Sequence, residues 1–391
     1  MYGDTASPVG RIPRPRATIG PQLSAAARSR PGAGWLSRDD RAALGLWAAA
    51  HAALLVLVWA AAWTFRAQQS HAPLTAAFEH WDASWFQNVA QFGYLGPHSM
   101  ANSIGYLPGY PLAVAAAHVL LRNWVLAELA VSAIAGCFAV VSLARLAGGR
   151  RAVLYLLAMP AAIFLMVGYS ECLFLAFAIP AWRAGSRGRW WTAGLLAAGA
   201  GLVRPDALFL IPALVIMALT GPAGSRVANA ARASLGFAGP AAYELYLIAI
   251  TGRPDAWLRA EKLGWGLHLR PPLQTLKTTW WAAFEHPFSA ATAFEFQLEL
   301  AAMATIIVAA LAFGYRQRWA EATYCGLAAL ALGTSTWYAA CPRTLLVLFP
   351  VCVALAALEA GRPWIRYAYF GVSLPIAVVL GLSYLAGQWA G

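Results

Sequence analysis

Residues 42–64 read AALGLWAAAHAALLVLVWAAAWT, a run without one charged side chain that follows Arg41 and ends just before Arg66. At about 1.5 Å per residue, a helix of roughly 20 such residues crosses the ~30 Å hydrocarbon layer of a bilayer. Lipid offers no hydrogen bonds, so the backbone of such a run must satisfy itself as a helix, and no period-two alternation argues for a barrel strand. Runs of the same character recur at 124–146, 152–168, 171–183, 190–203, 205–220, 233–251, 297–314, 319–336, 343–358 and 364–386. The chain of 391 residues is 60% hydrophobic and 11% charged, whereas a soluble domain carries roughly 25% charged residues. These features predict an all-α fold, a polytopic transmembrane helical bundle of about 11 full spans. The apolar piece 107–121 carries Pro108 and Pro111, each lacking a backbone donor, and is read as re-entrant or interfacial.

The formal charge of +12 comes almost wholly from arginine, with lysine only at 262 and 277. On a soluble chain that excess would point to nucleic acid. Here the arginines sit in short loops, where the positive-inside rule accounts for them and no nucleic-acid partner is expected. Arg11, Arg14, Arg16, Arg28, Arg30, Arg38 and Arg41 precede the first run, which places the N-terminus in the cytoplasm. Residues 1–40, rich in Pro, Gly, Ser and Arg, form a disordered basic arm, and 41–391 a single transmembrane domain. The first apolar run lies too far in, and is too long, for a secretory signal. Later clusters at 145/150/151, 183/187/189, 226/232, 316/318 and 362/366 also fit the cytoplasmic side of a cell membrane. The loops 65–106 and 252–296, with the turns near 168–171 and 335–343, then face outward. None of the five cysteines has a metal or CxxC spacing, so no metal site and no disulfide are expected.

The chemistry-bearing segments fall on that outer side. In the first outer loop Glu79 and Asp82 stand three apart, a spacing that puts both carboxylates on one helical face. Aromatics at 78, 81, 85, 86 and 92 would give that helix a stripe suited to the membrane interface. Glu171 follows Tyr169 at the edge of an apolar run, where an ionisable side chain is costly and marks function. Arg204 and Asp206 stand between two apolar runs, free to pair with each other or to meet a phosphate. Arg259, Lys262 and Trp265 mix cations with an aromatic face, as sugar-phosphate sites do. Arg343 opens another apolar run against the charge trend, which an anion at that point would explain. Together these residues describe a site for a lipid-phosphate sugar. A carboxylate would act as general base on an acceptor hydroxyl, and cations would meet the leaving phosphate.

The order of these segments is also familiar. His80-Trp81-Asp82 with Trp85-Phe86 and Gly93-Tyr94, then Tyr106 and Leu107-Pro108-Gly109-Tyr110-Pro111-Leu112, resemble the start of PIG-V-like mannosyltransferases. Tyr169-Ser170-Glu171-Cys172-Leu173-Phe174, Arg204-Pro205-Asp206, Asp255-Ala256-Trp257 and Pro342-Arg343-Thr344-Leu345-Leu346 continue the likeness in order. Where the family usually has aromatic-Pro-Leu-Tyr-Pro, this chain has Leu107-Pro108-Gly109-Tyr110-Pro111, and the family's Arg-Pro-Thr-Gly reads Arg204-Pro205-Asp206-Ala207. The resemblance implies the GT-C superfamily and an inverting transfer of mannose from a polyprenyl-phosphate donor, in contact with membrane lipids, to an acceptor left open. It implies Asp82 as the base, Glu79 as its helper and no obligatory metal or other cofactor. Donor-side roles then fall to His80, Trp81, Trp85, Tyr106, Tyr110, Tyr169, Glu171, Arg204, Arg259, Lys262, Trp265 and Arg343.

Two other readings fit the same membrane fold. A transporter or flippase of a lipid-linked molecule would need charge along a membrane path, for which Glu128, Glu244 and Glu299 are the candidates. A non-catalytic partner subunit would keep the fold and not depend on Asp82.

Overall fold

In the computed structural model, which describes residues 36–65, 74–222 and 224–389, helix follows helix along the chain. Residues 1–35 of the basic arm and 66–73 of the first outer loop lie outside the described residues. Arg38–Phe65, Trp124–Ala147, Arg226–Ser234 continued by Ala238–Thr251, Ala290–Tyr315 and Trp364–Leu385 are long and apolar enough to cross a membrane. The chain is a multi-pass membrane protein.

Several expected spans are shorter or broken. The run 152–168 divides into Arg151–Leu157 and Ile163–Met166. Pro160 interrupts it, having no N–H to donate and disfavouring helical backbone at Met159. The run 343–358 is a bent pair, Cys341–Val347 and Pro350–Gly361, with 72° between its halves. Pro350 there starts a new helix instead of continuing the old one. The expected outer loop 252–296 is not irregular: it folds as Ala256–Trp265 and Pro272–Phe284. Its last seven residues belong to the next span, which begins at Ala290 because the Ser289 side chain accepts a hydrogen bond from the Thr292 N–H and caps it.

Helix Gly109–Leu121 rises only roughly 20 Å. Tyr110, near its start, hydrogen-bonds the Glu128 carbonyl at 3.2 Å and the Ser132 hydroxyl at 3.0 Å. Its far end turns through Arg122 and Asn123 directly into Trp124. The start of the segment thus packs against the N-terminal half of helix Trp124–Ala147.

The two ends of the bundle carry different chemistry. At one, Arg145 forms a two-pronged ion pair with Asp40 at 2.8 Å on each oxygen, and Glu359 lies between Arg151 and Arg366 at 3.8 and 3.4 Å. At the other, Gln87 hydrogen-bonds Glu128. Glu128 and Arg145 share one helix and stand roughly 25 Å apart along its axis. A seam of small residues, Ala193, Ala197, Ala200 and Gly201, is buried in helix Trp190–Val203. It lets neighbouring backbones approach closely, the usual way helices associate where the hydrophobic effect no longer drives them together.

Candidate functional site

Asp82 is the first residue of helix Asp82–Phe92. The residue before it, Trp81, has φ 55° and ψ −127°. A non-glycine residue rarely adopts a positive φ, and such strain clusters at functional sites. The turn at Trp81 points the Asp82 carboxylate inward, where Tyr106 donates its hydroxyl to one oxygen at 2.9 Å. Arg343 donates to the other at 2.7 Å.

Arg343 is the hub. Its guanidinium also meets Glu171 through Nε and Nη2, both at 2.8 Å, and it lies over the rings of Phe164 and Tyr169 at 4.9 and 4.7 Å. Arg204 reaches the same Glu171 oxygen at 2.8 Å and pairs with Asp206 at 2.9 Å. The result is a chain of charges, Asp82–Arg343–Glu171–Arg204–Asp206, in which Glu171 is 0% exposed and Arg343 6%. Buried ion pairs survive only where each charge has partners, since an uncompensated one is strongly destabilising. Three carboxylates against two guanidinium groups leave this chain one negative charge in excess.

Each member is held by its local backbone. Arg343 sits in the first turn of Cys341–Val347, whose leading N–H groups, at Ala340 and Cys341, donate to the two oxygens of Glu299 at 2.9 and 2.8 Å. A carboxylate at a helix N-terminus is favourable, and this one fixes where Arg343 emerges. Glu171 begins Glu171–Ser186 after a tight turn at 167–169. A side chain at Gly168 would come within 2.7 Å of the Glu128 carboxylate, so that turn needs glycine to press against the neighbouring helix.

The charge chain borders a cavity of about 600 Å³ formed by segments distant in sequence: Trp81–Phe86, Gly105–Leu107, Arg204, Glu261–Trp265, Glu295–Glu299, Trp337–Arg343 and Trp389. Its wall is rich in aromatic rings, with carboxylates and two arginines, the lining expected of a site that orients a ligand.

Over 154 aligned residues, 34% of the chain, the sequence is 33% identical to GPI alpha-1,6-mannosyltransferase 2 of Homo sapiens. The proteins of the same name from Rattus norvegicus and Mus musculus match at 33% over 154 and 34% over 156 residues. Over that stretch the chain is similar to these mannosyltransferases. The match spans 30% of the length of each of these relatives. No family model matches the chain, and no solved structure matches it.

The cavity gathers Asp82, Trp81, Trp85, Tyr106, Arg204, Trp265 and Arg343, with Glu171 directly behind Arg343. Tyr169 and Tyr110 are fully buried beneath the site and support it instead of lining it. Four expected residues are not brought together there. Glu79 is exposed and precedes the helix, because the turn at Trp81 starts the helix at Asp82 and removes the shared face the spacing predicts. His80 packs edge-on against Tyr384 at 5.9 Å, and burial holds its imidazole below the ordinary value. Arg259 and Lys262 are exposed, because helix Ala256–Trp265 buries Ala256 and Ala260 and turns Glu261 and Trp265 to the cavity.

Ser170, Glu261, Glu295, Glu299, Trp337 and Trp389 are among the lining residues that sequence reasoning left out of the site. For Glu261 a signal existed: it stands four residues before Trp265, on one helical face. Its carboxyl is pushed up to about 7, first by burial and then by the negative charge of Asp82.

Proposed function

We propose that the protein is an inverting mannosyltransferase, taking mannose from polyprenyl-phosphate-mannose and passing it to an extracytoplasmic acceptor. The observation that carries this reading is the shared hold of Arg343 on Asp82 and Glu171 at the wall of the cavity. The names of its relatives support the sugar, and the bundle's two unlike ends support the sidedness. The Arg-rich end is cytoplasmic by the positive-inside rule, so the cavity opens on the opposite face of the cell membrane.

In the unliganded site Arg343 is committed to two carboxylates. An arriving donor phosphate, matched in geometry to a guanidinium, displaces Asp82 from it. Asp82 keeps the Tyr106 hydrogen bond and becomes free to take the proton of an acceptor hydroxyl. The acceptor oxygen forms its bond to the anomeric carbon as the carbon–oxygen bond to phosphate breaks. The bonding pair leaves on the phosphate oxygen, where Arg343 and Arg204 meet the charge. The proton ends on Asp82, attack and departure occur on opposite faces of the sugar, and the anomeric centre inverts. The reading assigns the phosphate's charge to the two arginines and includes no metal.

Glu261 gives this scheme a pH dependence. Below about 7 its carboxyl is neutral; above, the cavity gains a negative charge that opposes an anionic donor. KM for the donor is expected to rise about tenfold between pH 6 and pH 8, from one unit charge acting at short range in a partly screened site. Glu261→Gln, which cannot ionise, should make that rise smaller in a steady-state assay across the range.

Two of the three candidate charges for transport are already engaged within the protein. Glu128 is sealed at 1% exposure and bonded to Gln87, and both oxygens of Glu299 are engaged by backbone N–H groups. Membranes supplied with labelled polyprenyl-phosphate-mannose test the proposal. Label should appear in a lipid, glycan or protein acceptor with wild type and not with Asp82→Asn. Equal product from both would assign the chain to a partner role. Movement of the donor across vesicles by purified protein, without transfer, would assign it to transport.

A further inference from the structure

Beside the charge chain, one wall of the cavity is built differently. The rings of Trp85 and Tyr106 stack at 5.6 Å with 17° between their planes. Trp265 closes on both, at 6.2 Å from Trp85 and 5.4 Å from Tyr106. Glu261 stands on the same helical face as Trp265, one turn earlier, and no hydrogen bond with a described residue perturbs its carboxyl. At Gly105 any side chain would come within 2.7 Å of the Trp265 ring and 3.3 Å of a Glu261 oxygen. The absence of a side chain there lets this group close up. Glu261 is thus an acid with no hydrogen-bond partner among the described residues, at the edge of an aromatic surface in the wall of the cavity that Asp82 also lines.

We infer that this wall is a pyranose subsite, in which Trp85, Tyr106 and Trp265 hold the sugar ring of the lipid-phosphate donor and Glu261 selects it through a ring hydroxyl. The inference rests on the proposed transfer reaction for the identity of its ligand. A pyranose presents a C–H-rich face, which an aromatic surface covers, and a rim of hydroxyls, each both donor and acceptor. A carboxyl that titrates near neutrality can likewise donate and accept. The other parts of the donor fit this wall poorly. An isoprenoid chain would bury the Glu261 carboxyl without a partner, and the phosphate would meet an acid here while Arg343 and Arg204 stand elsewhere. A site built to bond a hydroxyl discriminates strongly against ligands that lack it, because its own polar group is then left unpaired.

The test uses full-length protein in lipid nanodiscs and two ligands, a short-chain polyprenyl-phosphate-mannose and the same polyprenyl phosphate without sugar. At pH 6, where the Glu261 carboxyl is neutral, wild type should bind the sugar-bearing lipid about tenfold more tightly, and Glu261→Ala and Trp265→Ala should each bring that preference to within about twofold while leaving affinity for the bare lipid phosphate unchanged. Glu261→Gln, which keeps a donor and an acceptor, should restore most of the preference. Equal weakening toward both lipids, or a preference that persists in Glu261→Ala, would overturn the assignment. So would phosphate-independent binding of methyl α-mannoside that Glu261→Ala abolishes, since the wall would then serve the acceptor. A protein that shows the preference and its loss, yet moves no mannose in the membrane assay, would refute the transferase reading and leave the subsite standing.

Discussion

Arg343→Ala is expected to reduce mannose transfer by about a thousandfold, the upper range for removing one preorganised charge-stabilising group. The substitution also strands buried carboxylates: Glu171, at 0% exposure, keeps only Arg204, and Asp82 keeps only Tyr106. Breaking one side of such a pair costs about 3–5 kcal/mol, so the variant should also melt at lower temperature in detergent. A second variant separates the two effects. Arg343→Met with Glu171→Gln removes a positive and a negative charge together and leaves apolar bulk against Phe164 and Tyr169. Its thermal stability should return toward wild type while transfer stays lost. Recovery of transfer in the double variant would show that Arg343 serves only the fold. Arg343→Lys should recover little, because a single ammonium cannot span Asp82 and Glu171 as the guanidinium does at 2.7 and 2.8 Å.

Asp82→Asn is expected to lower kcat by about 10²–10⁴, the range attached to a positioned general base. Its effect on binding should run the other way. Asparagine still accepts the Tyr106 hydroxyl, but no longer holds Arg343 as an ion pair. The donor phosphate then has no carboxylate to displace, so the affinity of the variant for polyprenyl-phosphate-mannose should rise. Equilibrium binding and single-turnover transfer, measured on the same preparation, read the two effects separately. Loss of both together would place Asp82 in the scaffold.

The membrane character was legible because lipid constrains composition more tightly than any packed interior does: a run such as 42–64 has no soluble alternative. The breaks were written in the sequence as well, at Pro160 and Pro350, but the apolar character on either side is continuous and hides them. Asp82, Glu171, Arg204 and Arg343 could be picked out singly, each as a charge where charge is costly. Their union could not, since Asp82 and Arg343 meet across 261 positions of chain. On Ala256–Trp265 the reading chose the cations for their chemistry, whereas Ala256 and Ala260 decide which face packs and so turn Glu261, not Arg259 or Lys262, toward the cavity. Glu79 failed for a local reason, a helix that starts three residues later than its spacing suggests. Trp337 and Trp389 carry no motif and become lining residues only through the fold.

The central claim is that the donor phosphate takes the place of Asp82 on Arg343. An experimentally determined structure of the Asp82→Asn protein with polyprenyl-phosphate-mannose bound tests it most directly. The account predicts the phosphate within hydrogen-bond distance of the Arg343 guanidinium, with the anomeric carbon between it and the side chain at position 82. A phosphate held at the Arg145 end of the bundle, or one bound while Arg343 contacts only protein carboxylates, would contradict it.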